Sequence, residues 1–355
     1  MTEEENNSFN LVCPPIIRDK KNITLGHGSG GLLTHELINT TFKKILTNPI
    51  LDEGNDGALI SLPAYKGKLV VSTDAHIVSP LFYPGGDIGR LAISGTVNDV
   101  AMMGADPLYL TASFVIEEGF SLELLEKVAL SMKSTCEEAG VIIIAGDTKV
   151  TEKGKGDGLY ISTTGIGWLP EGRDIQGQNA LKGDAIILSG TIGDHATAIL
   201  QARGELGFQS NVTSDVAPLN KMLEELIKQV QDIHVMRDPT RGGLGTTLVE
   251  IAKQSNVCIQ IEETSLPIKK EVKTVCELLG FDPLYMANEG KVVIILPEEK
   301  CNIALEILQK HKYGQNAVRI GSVIDNKQPR VLLRTPLGSN RVIEMLMGEM
   351  LPRIC

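Results

Sequence analysis

The last residue of the chain is a cysteine, Cys355, and its thiol is a nucleophile that could carry a covalently bound group. The segment before it reads TPLGSNRVIEMLMGEMLPRIC from Thr335, and we expect a short helix over Arg341–Met350 and a helix break at Pro352. The residues after Leu337 could span ~60 Å when fully extended. We therefore predict a mobile tail over residues 336–355 that delivers a thiol. The alternative is that Cys355 is simply where the chain stops.

Four aspartates in the first half stand where a strand or a helix is expected to end: Asp56, Asp74, Asp99 and Asp147. Each alone is typical of a turn residue or an N-cap. Together they are hard oxygen ligands of the kind that Mg²⁺ prefers when it bridges carboxylates to phosphates. Without a Walker lysine, Lys149 would share in neutralising the phosphates. The spacing leaves open whether the four converge.

A glycine-rich turn, Gly26–Gly31, precedes a helical pattern over Leu32–Leu46. Backbone N–H groups of such a turn can bind phosphate. The turn matches neither the P-loop nor the dinucleotide-binding fingerprint, so a flexible connection explains it equally well.

Strands and helices alternate in both halves, which favours an α/β (α+β) fold. We predict a disordered leader over residues 1–22, domains over 23–170 and 183–335 separated by the polar stretch Pro170–Gly183, and the tail over 336–355. The predicted helices after the first are Ile88–Met103, the segment from Ser121 to Gly140, Ala196–Arg203, Leu219–Val230, Leu244–Ser255, Lys270–Leu279 and Ile303–His311. The strand Val141–Ala145 is predicted to end just before Asp147.

Composition excludes several classes of function. The 34 basic and 44 acidic residues give a net charge of −10, which argues against a nucleic-acid partner. No apolar run has membrane-spanning length and the N-terminus is not signal-like, so we expect a cytoplasmic protein without a membrane partner. Of six cysteines, four lie in apolar periodic segments and are predicted to be buried: Cys136, Cys258, Cys276 and Cys301.

The order of motifs resembles one family over about residues 23–355. The motifs are HGSGG (27–31), NDGA (55–58), STDAHIVSPLFYPGGDIGRLAISGTVNDVAMMGADP (72–107), AGDTKV (145–150), SGTIGDHA (189–196), RDPTRGGL (237–244), NEGK (288–291) and PRIC (352–355). They resemble the HypE family of carbamoyl dehydratases, which serve nickel–iron hydrogenase maturation and belong to the aminoimidazole ribonucleotide synthetase (PurM-like) superfamily. The terminal cysteine is the most specific of these features.

The resemblance implies a PurM-like homodimer with ATP and Mg²⁺ in a cleft and a central barrel built from N-terminal strands of both subunits. The implied metal ligands are Asp56, Asp74, Asp99 and Asp147. The implied nucleotide-binding residues are His27, Gly28, Gly30, Asp74, Asp99, Asp147, Lys149 and Asp238. The implied catalytic residues are Cys355, Glu289 and Lys149.

The implied reaction begins with a carbamoyl group on Cys355, installed by the carbamoyltransferase HypF. ATP phosphorylates the amide oxygen, and removal of the N–H proton by Glu289 expels phosphate and leaves a thiocyanate. The cyano group then passes to iron on a HypC–HypD complex. Glu289 could instead be a solvated turn carboxylate.

Two further motifs have structural alternatives. Asp238 could simply pair with Arg241, and His76 and His195 could be buried histidines with satisfied hydrogen bonds.

Two other classes of function stay open. A different enzyme of the superfamily, such as thiamine monophosphate kinase or selenophosphate synthetase, uses no C-terminal thiol, and the second needs a reactive cysteine that residues 26–31 lack. A non-catalytic carrier of the cyano group would need no carboxylates or lysine. The sequence does not decide whether the tail enters its own or a neighbouring subunit.

Overall fold

The computed structural model describes residues 19–204, 207, 211–325, 328–346, 348 and 354. Its strands are β1 (Gly67–His76), β2 (Phe82–Tyr83), β3 (Gly86–Asp87), β4 (Asp106–Glu117), β5 (Ile142–Thr151), β6 (Leu159–Pro170), β7 (Asp184–Leu188), β8 (Val235–Arg237), β9 (Cys258–Glu262), β10 (Val293–Pro297), β11 (Val318–Ile324), β12 (Arg330–Arg334) and β13 (Asn340–Ile343). Its α-helices are α1 (Leu32–Leu37), α2 (Lys44–Leu46), α3 (Pro49–Asp52), α4 (Ile88–Met102), α5 (Leu122–Ala139), α6 (Asp194–Ala202), α7 (Asn220–Gln229), α8 (Gly243–Gln254), α9 (Lys270–Leu279) and α10 (Cys301–Lys310).

The first half forms a four-stranded sheet in the order β1-β6-β4-β5, in which only β4 and β5 run parallel. Residues alternate between its faces, as the pleat of a strand requires. One face, which includes Leu110, Ala112 and Phe114, is buried in a core shared with α4 and α5. On the opposite face Leu69 and Val71 of β1 are 50% and 58% exposed, so an apolar surface is left uncovered in the single chain.

The second half forms a seven-stranded sheet in the order β13-β12-β9-β11-β7-β10-β8. Every residue of β7 is buried because helices cover both faces of the sheet. Ala185 and Ile187 pack in the core that contains α7 and α10, whereas Ile186 and Leu188 pack in the core that contains α8. No helix among the residues that the structure describes is long and apolar enough to cross a membrane.

Helix α4 begins where Asp87 accepts hydrogen bonds from the backbone of Gly89 and Arg90 at 2.7 and 3.1 Å. Asn98, one turn before its end, joins the two halves: its amide donates to the carbonyl of Ala217 at 3.0 Å and accepts from the backbone of Leu219 at 2.7 Å. Because Asn98 is buried, these bonds fix the neighbouring Asp99 at the domain interface.

Four sequence predictions are wrong in their boundaries. Strand β1 continues to His76, so Asp74 lies within it and not at its end. The strand predicted to end at Ala145 continues to Thr151, so Asp147 lies within it. A π-helical turn over Ile38–Lys43 interrupts the helix predicted over Leu32–Leu46. Arg341 lies in strand β13 and does not start a helix, because β13 pairs with β12. The four cysteines predicted to be buried are buried. Cys355 lies outside the described residues.

Candidate active site

Four carboxylates from both halves meet at the domain interface: Asp74 on β1, Asp99 on α4, Asp238 after β8 and Glu289 before β10. We call them the interdomain cluster. The four carboxyls lie close enough to interact, since the negative charges of Asp99 and Asp74 both contribute to raising the pKa values of Asp238 and Glu289. Ser72 donates to Asp99 Oδ2 at 2.7 Å. The alternative in which Arg241 pairs with Asp238 is not seen in the described part of the chain, where Arg241 is exposed.

Burial disfavours the ionised form of three carboxyls of the interdomain cluster, those of Asp99, Asp238 and Glu289. Burial, followed by the charge of Asp99, raises the pKa of Asp238 to about 7. Burial and then the charge of Asp215 raise the pKa of Glu289 well above its usual value. Burial also raises the pKa of Asp99. These carboxylates are therefore suited to hold a proton near neutral pH or to bind a cation that compensates their charge.

Glu289 is held by a segment that sequence reasoning did not single out. Asp215 accepts hydrogen bonds from the backbone of Glu289 and Gly290, each at 3.2 Å, and pairs with Lys291 at 3.0 Å. A Cβ at Gly290 would lie 1.9 Å from the carbonyl oxygen of Asp215, so only glycine fits there. The Asn-Glu-Gly-Lys motif was the available signal, but its partner Asp215 has no motif of its own.

The Glu289 side chain is 5% exposed, and its Oε1 has no hydrogen-bond partner among the described residues. In the neighbouring Asn288, by contrast, both ends of the side-chain amide have partners: its oxygen accepts from the backbone of Gly193, and its nitrogen donates to the carbonyl of Pro239, both at 2.8 Å. The prediction that Glu289 could be a solvated turn carboxylate is therefore wrong. A buried oxygen without a partner is unfavourable unless a ligand or a proton satisfies it.

Asp147 lies on the other face of the first sheet from Asp74. Asp74 is paired with Thr163, Thr163 with Ala112, and Ala112 with Gly146. Gly146 therefore shares the face of Asp74, and Asp147, one residue later, points the opposite way. The two aspartates belong to opposite edge strands as well as opposite faces.

Asp147 and Lys149 form an exposed pair. Their charged groups are 2.7 Å apart, with side chains 62% and 63% exposed. The hydrogen bond from Lys149 is the main reason that the pKa of Asp147 is lowered. Asp147 also lines a cavity of about 380 Å³ together with Asp56, Phe42, Phe114 and the main chain around Gly146. We call Asp56, Asp147 and Lys149 the outer group.

The glycine-rich turn lies beside the outer group. A Cβ at Gly28 would come within 2.7 Å of the backbone nitrogen of Val150, so glycine allows the turn to pack directly on β5. Gly30 has a φ of 79° and open space around its Cα. His27 is buried and accepts a hydrogen bond from the backbone of Thr24 at 3.0 Å, so its side chain holds the turn.

Family comparisons agree over most of the chain. The N-terminal domain model of AIR synthase related proteins matches residues 54–169, and the corresponding C-terminal domain model matches residues 182–334. Carbamoyl dehydratase HypE of Cupriavidus necator is 49% identical over 333 residues, covering 94% of this chain and 95% of that protein. The chain belongs to the HypE family.

Two solved HypE structures extend the comparison. HypE in complex with ATP is 48% identical, with a TM-score of 0.89 and coverage of 94% of this chain and 99% of that one. A chain from a HypE–HypF complex is 46% identical, with a TM-score of 0.76 and coverage of 89% and 100%. The PurM-like two-domain fold predicted from the sequence is confirmed.

The four aspartates that the HypE resemblance assigned to one metal site fall into two groups within the single chain. Asp74 and Asp99 belong to the interdomain cluster, and Asp56 and Asp147 to the outer group. Among the described residues, no set of three or more histidine, cysteine, aspartate and glutamate side chains has the geometry to hold a metal ion. The sequence could not separate the groups, because the separation depends on strand register.

The tail residue that precedes the HypE-family cysteine is docked within its own chain. Ile354 is 6% exposed, and it forms a bridge with Val78 in the first half. Its carbonyl contacts His195 Nε2 in the second half. The described end of the tail thus lies at the interface between the two halves, as does the interdomain cluster.

Proposed function

We propose that the chain is an ATP-dependent dehydratase that converts an S-carbamoyl group on Cys355 to a thiocyanate, which supplies a cyanide ligand to the iron of a nickel–iron hydrogenase. The relatives that cover nearly its whole length are named carbamoyl dehydratases. The carrier is the chain's own terminal thiol.

The observation that carries this proposal is the docking of Ile354 at the interface between the two halves, where Glu289 also lies. His195, which contacts the Ile354 carbonyl, also interacts electrostatically with Asp215, and Asp215 bonds the backbone of Glu289. Cys355 is one peptide bond from Ile354, so the two Cα atoms are about 3.8 Å apart. We propose that the tail delivers a carbamoyl group on this sulfur to the Glu289 carboxyl, whose Oε1 has no hydrogen-bond partner among the described residues.

The outer group offers the features that ATP requires. Its cavity of about 380 Å³ has apolar walls from Phe42 and Phe114 and is also lined by Asp147, the ion-pair partner of Lys149. The glycine-rich turn packs on the same strand, β5, through Gly28. Backbone N–H groups and one cation at such a place suit a phosphate chain. We propose that His27, Gly28 and Gly30 support nucleotide binding through the shape of this turn. In this proposal Asp74, Asp99, Asp147 and Asp238 also face the phosphates.

The carboxylates present fit Mg²⁺ by their chemistry, because carboxylate oxygens are the ligands that this hard cation prefers. We propose that Asp56, Asp74, Asp99 and Asp147 hold it. When bound, the ion would neutralise charge on the transferred phosphoryl group. Because the two pairs lie on opposite faces of one sheet, a single site requires groups from two copies of the chain.

Dehydration then depends on proton transfer. The carbamoyl oxygen accepts the γ-phosphoryl group of ATP and one of the two N–H protons is released to water, which gives an imidate phosphate, with phosphate as the leaving group, and ADP. Glu289 takes the remaining N–H proton as the C–O bond breaks, the C≡N bond forms and phosphate departs. Burial suits Glu289 to this step, because a carboxylate with a raised pKa is a stronger base once ionised and its neutral product is favoured.

Three partners follow from this proposal. A second copy would cover the apolar face around Leu69 and Val71, because their side chains and the paired Ile166 and Trp168 lie on the same face of the sheet. The relative solved with HypF supports HypF as carbamoyl donor. A HypC–HypD complex would accept the cyano group.

The deciding experiment follows the C-terminal peptide by mass. The chain is carbamoylated by HypF and purified, then given Mg-ATP and cleaved after Glu349 to release residues 350–355. Loss of one water from the adduct upon ATP addition is expected, and Cys355→Ala should show no adduct. An adduct that persists while ATP is not consumed would contradict the dehydratase and leave only a carrier.

A further inference from the structure

Ile354 fills a socket built from both halves of the chain. Its side chain belongs to the same buried core as Val78 and Tyr83 of the first half and Ala196 and Ile199 of helix α6 in the second. An isolated antiparallel bridge to Val78 aligns its backbone. The residue before Cys355 is therefore held by apolar burial and by its main chain.

His195 provides the polar contact in this socket. The residue is fully buried on α6, and its Nε2 meets the carbonyl oxygen of Ile354. A carbonyl oxygen can only accept, so Nε2 must carry the hydrogen. The ring of Tyr83 meets the imidazole edge-on at 5.5 Å, which restricts rotation of the imidazole plane.

Ser214 determines the tautomer of His195. Its hydroxyl oxygen lies 2.8 Å from His195 Nδ1 and accepts the backbone N–H of Val216 at 3.1 Å. The hydroxyl hydrogen is then free to donate to Nδ1, which leaves the other ring nitrogen protonated. Burial lowers the pKa of His195, which agrees with a neutral ring. A continuous series of hydrogen bonds therefore runs from the Val216 N–H through Ser214 and His195 to the carbonyl oxygen of Ile354.

The segment that carries Ser214 is fixed to both halves. The backbone of Ser214 donates to the carbonyl of Pro84 at 2.7 Å, and Arg90 Nε donates to the carbonyl of Val216 at 2.9 Å. Between them, Asp215 accepts from the backbone of Glu289. One short segment thus orients both the histidine that contacts the tail and the carboxyl assigned to proton transfer.

We propose that His195, oriented by Ser214, is a positioning residue that latches the C-terminal tail through the Ile354 carbonyl and so presents Cys355 to the interdomain cluster. Its effect on catalysis rests on the proposed function. The latch itself, the contact between His195 and the Ile354 carbonyl, does not depend on whether the chain dehydrates a carbamoyl group. Fixing the carbonyl next to the reacting residue reduces the conformations that the thiol samples, which is how positioning accelerates a reaction.

The latch can be tested by the protection of Cys355 from iodoacetamide. The extent of alkylation is followed in the peptide 350–355, so that other cysteines do not interfere. His195→Phe keeps a ring for the socket but loses both nitrogens, and should speed alkylation about tenfold, as expected for loss of a buried hydrogen bond. His195→Gln restores an N–H donor and should alkylate within about threefold of the unaltered chain.

Two further variants separate the latch from a folding defect. Ser214→Ala is a small change that removes the hydroxyl donor to His195, and it should speed alkylation about threefold. His234→Phe is the matched control, because His234 pairs with Asp184 at 2.7 Å and makes no contact with Ile354. Equal alkylation rates for His195→Phe, His234→Phe and the unaltered chain would overturn the latch.

Dehydration of the carbamoyl adduct gives the second readout. His195→Phe should lower the rate at saturating ATP about tenfold and leave the KM for ATP unchanged, because the latch acts on the tail. A raised KM for ATP with an unchanged rate would place His195 at the nucleotide and contradict the latch. If the unaltered chain protects Cys355 yet does not dehydrate the adduct, the proposed function fails while the latch stands.

Discussion

Asp147 and Asp238 are the same residue type, and both were selected as candidate site residues from the sequence, yet the fold gives them opposite properties. Asp147 is 62% exposed beside Lys149, and the pKa of its carboxyl is lowered. Asp238 lies at the domain interface without an ion-pair partner among the described residues, near Asp99 and Asp74, and its pKa is raised to about 7. One aspartate is a stable anion at neutral pH, and the other is near the midpoint of its titration.

The difference shows that the four-stranded sheet separates two groups of carboxylates with different properties, the outer group and the interdomain cluster. The outer group is charged and solvated, which suits attraction of a cation or a cationic partner. In the interdomain cluster, Asp99, Asp238 and Glu289 are desolvated and resist ionisation, which suits proton transfer. The predictions below test whether this division is real.

The largest expected effect is that of Glu289→Gln, which keeps shape and removes the base. Dehydration of the Cys355 adduct should fall by about 10²–10⁴-fold, the usual contribution of a general base. The rate for the unaltered chain should rise with pH as the ionised fraction of Glu289 grows toward its raised pKa, and the variant should lose that rise. Quenched-flow mass measurements of the peptide 350–355 give both.

Glu298→Gln serves as the control, because Glu298 is 51% exposed and pairs with Arg319 on the surface. It should change the dehydration rate less than about twofold. A rate for Glu289→Gln within threefold of the unaltered chain would assign the base to another group and would leave the interdomain cluster as a cation site alone.

Much of the fold follows from local pattern. Helix α9 has the predicted bounds, Lys270–Leu279, because its apolar period is regular and Gly280 ends the helix in a left-handed conformation. Strands β8 and β13 were not predicted. They are three and four residues long, and their pairing with distant strands, not their own pattern, makes them strands.

The site was predictable in residue type but not in grouping. Aspartates next to glycine or threonine could be found by inspection, and so could Glu289 in its motif. That Asp74 and Asp147 point to opposite faces depends on a register across three strand pairs, which no local pattern contains. Asp215 and Ser214 lie in an irregular segment, so their contacts with Glu289 and His195 had no sequence signal.

Asp238→Asn should stabilise the ligand-free chain, but only at higher pH. In the unfolded chain the carboxyl has its ordinary pKa of 3.8, whereas in the folded chain its pKa is about 7. The folded state therefore loses stability as pH rises from about 4 to 7, and the loss persists above 7. The amide should raise the free energy of unfolding by about 1–2 kcal/mol at pH 8 and have little effect near pH 4.

Urea unfolding in the presence of a chelator measures this difference. Asp147→Asn is the matched comparison, since it makes the same chemical change in the outer group. Its pKa is lowered, so its small contribution is present above about pH 4 and is lost as pH falls. If both variants responded to pH in the same direction, the two groups would not differ as the structure indicates.

The smallest expected effect is that of Lys149→Ala on stability. An exposed ion pair contributes about 0–1 kcal/mol because water solvates both charges, so the free energy of unfolding should change by less than ~0.5 kcal/mol. Lys127→Ala provides the control, because Lys127 pairs with Glu123 at 2.8 Å and is also largely exposed. Urea unfolding should give the same midpoint for both variants.

Isothermal titration should then show ATP binding weakened about threefold to tenfold in Lys149→Ala alone, since one cation beside the phosphates is lost. A loss of stability well above that of Lys127→Ala would mean that the Asp147–Lys149 pair is buried in solution. Because the pair lies on the sheet face that also carries Leu69 and Val71, a second copy of the chain would then be the group that covers it.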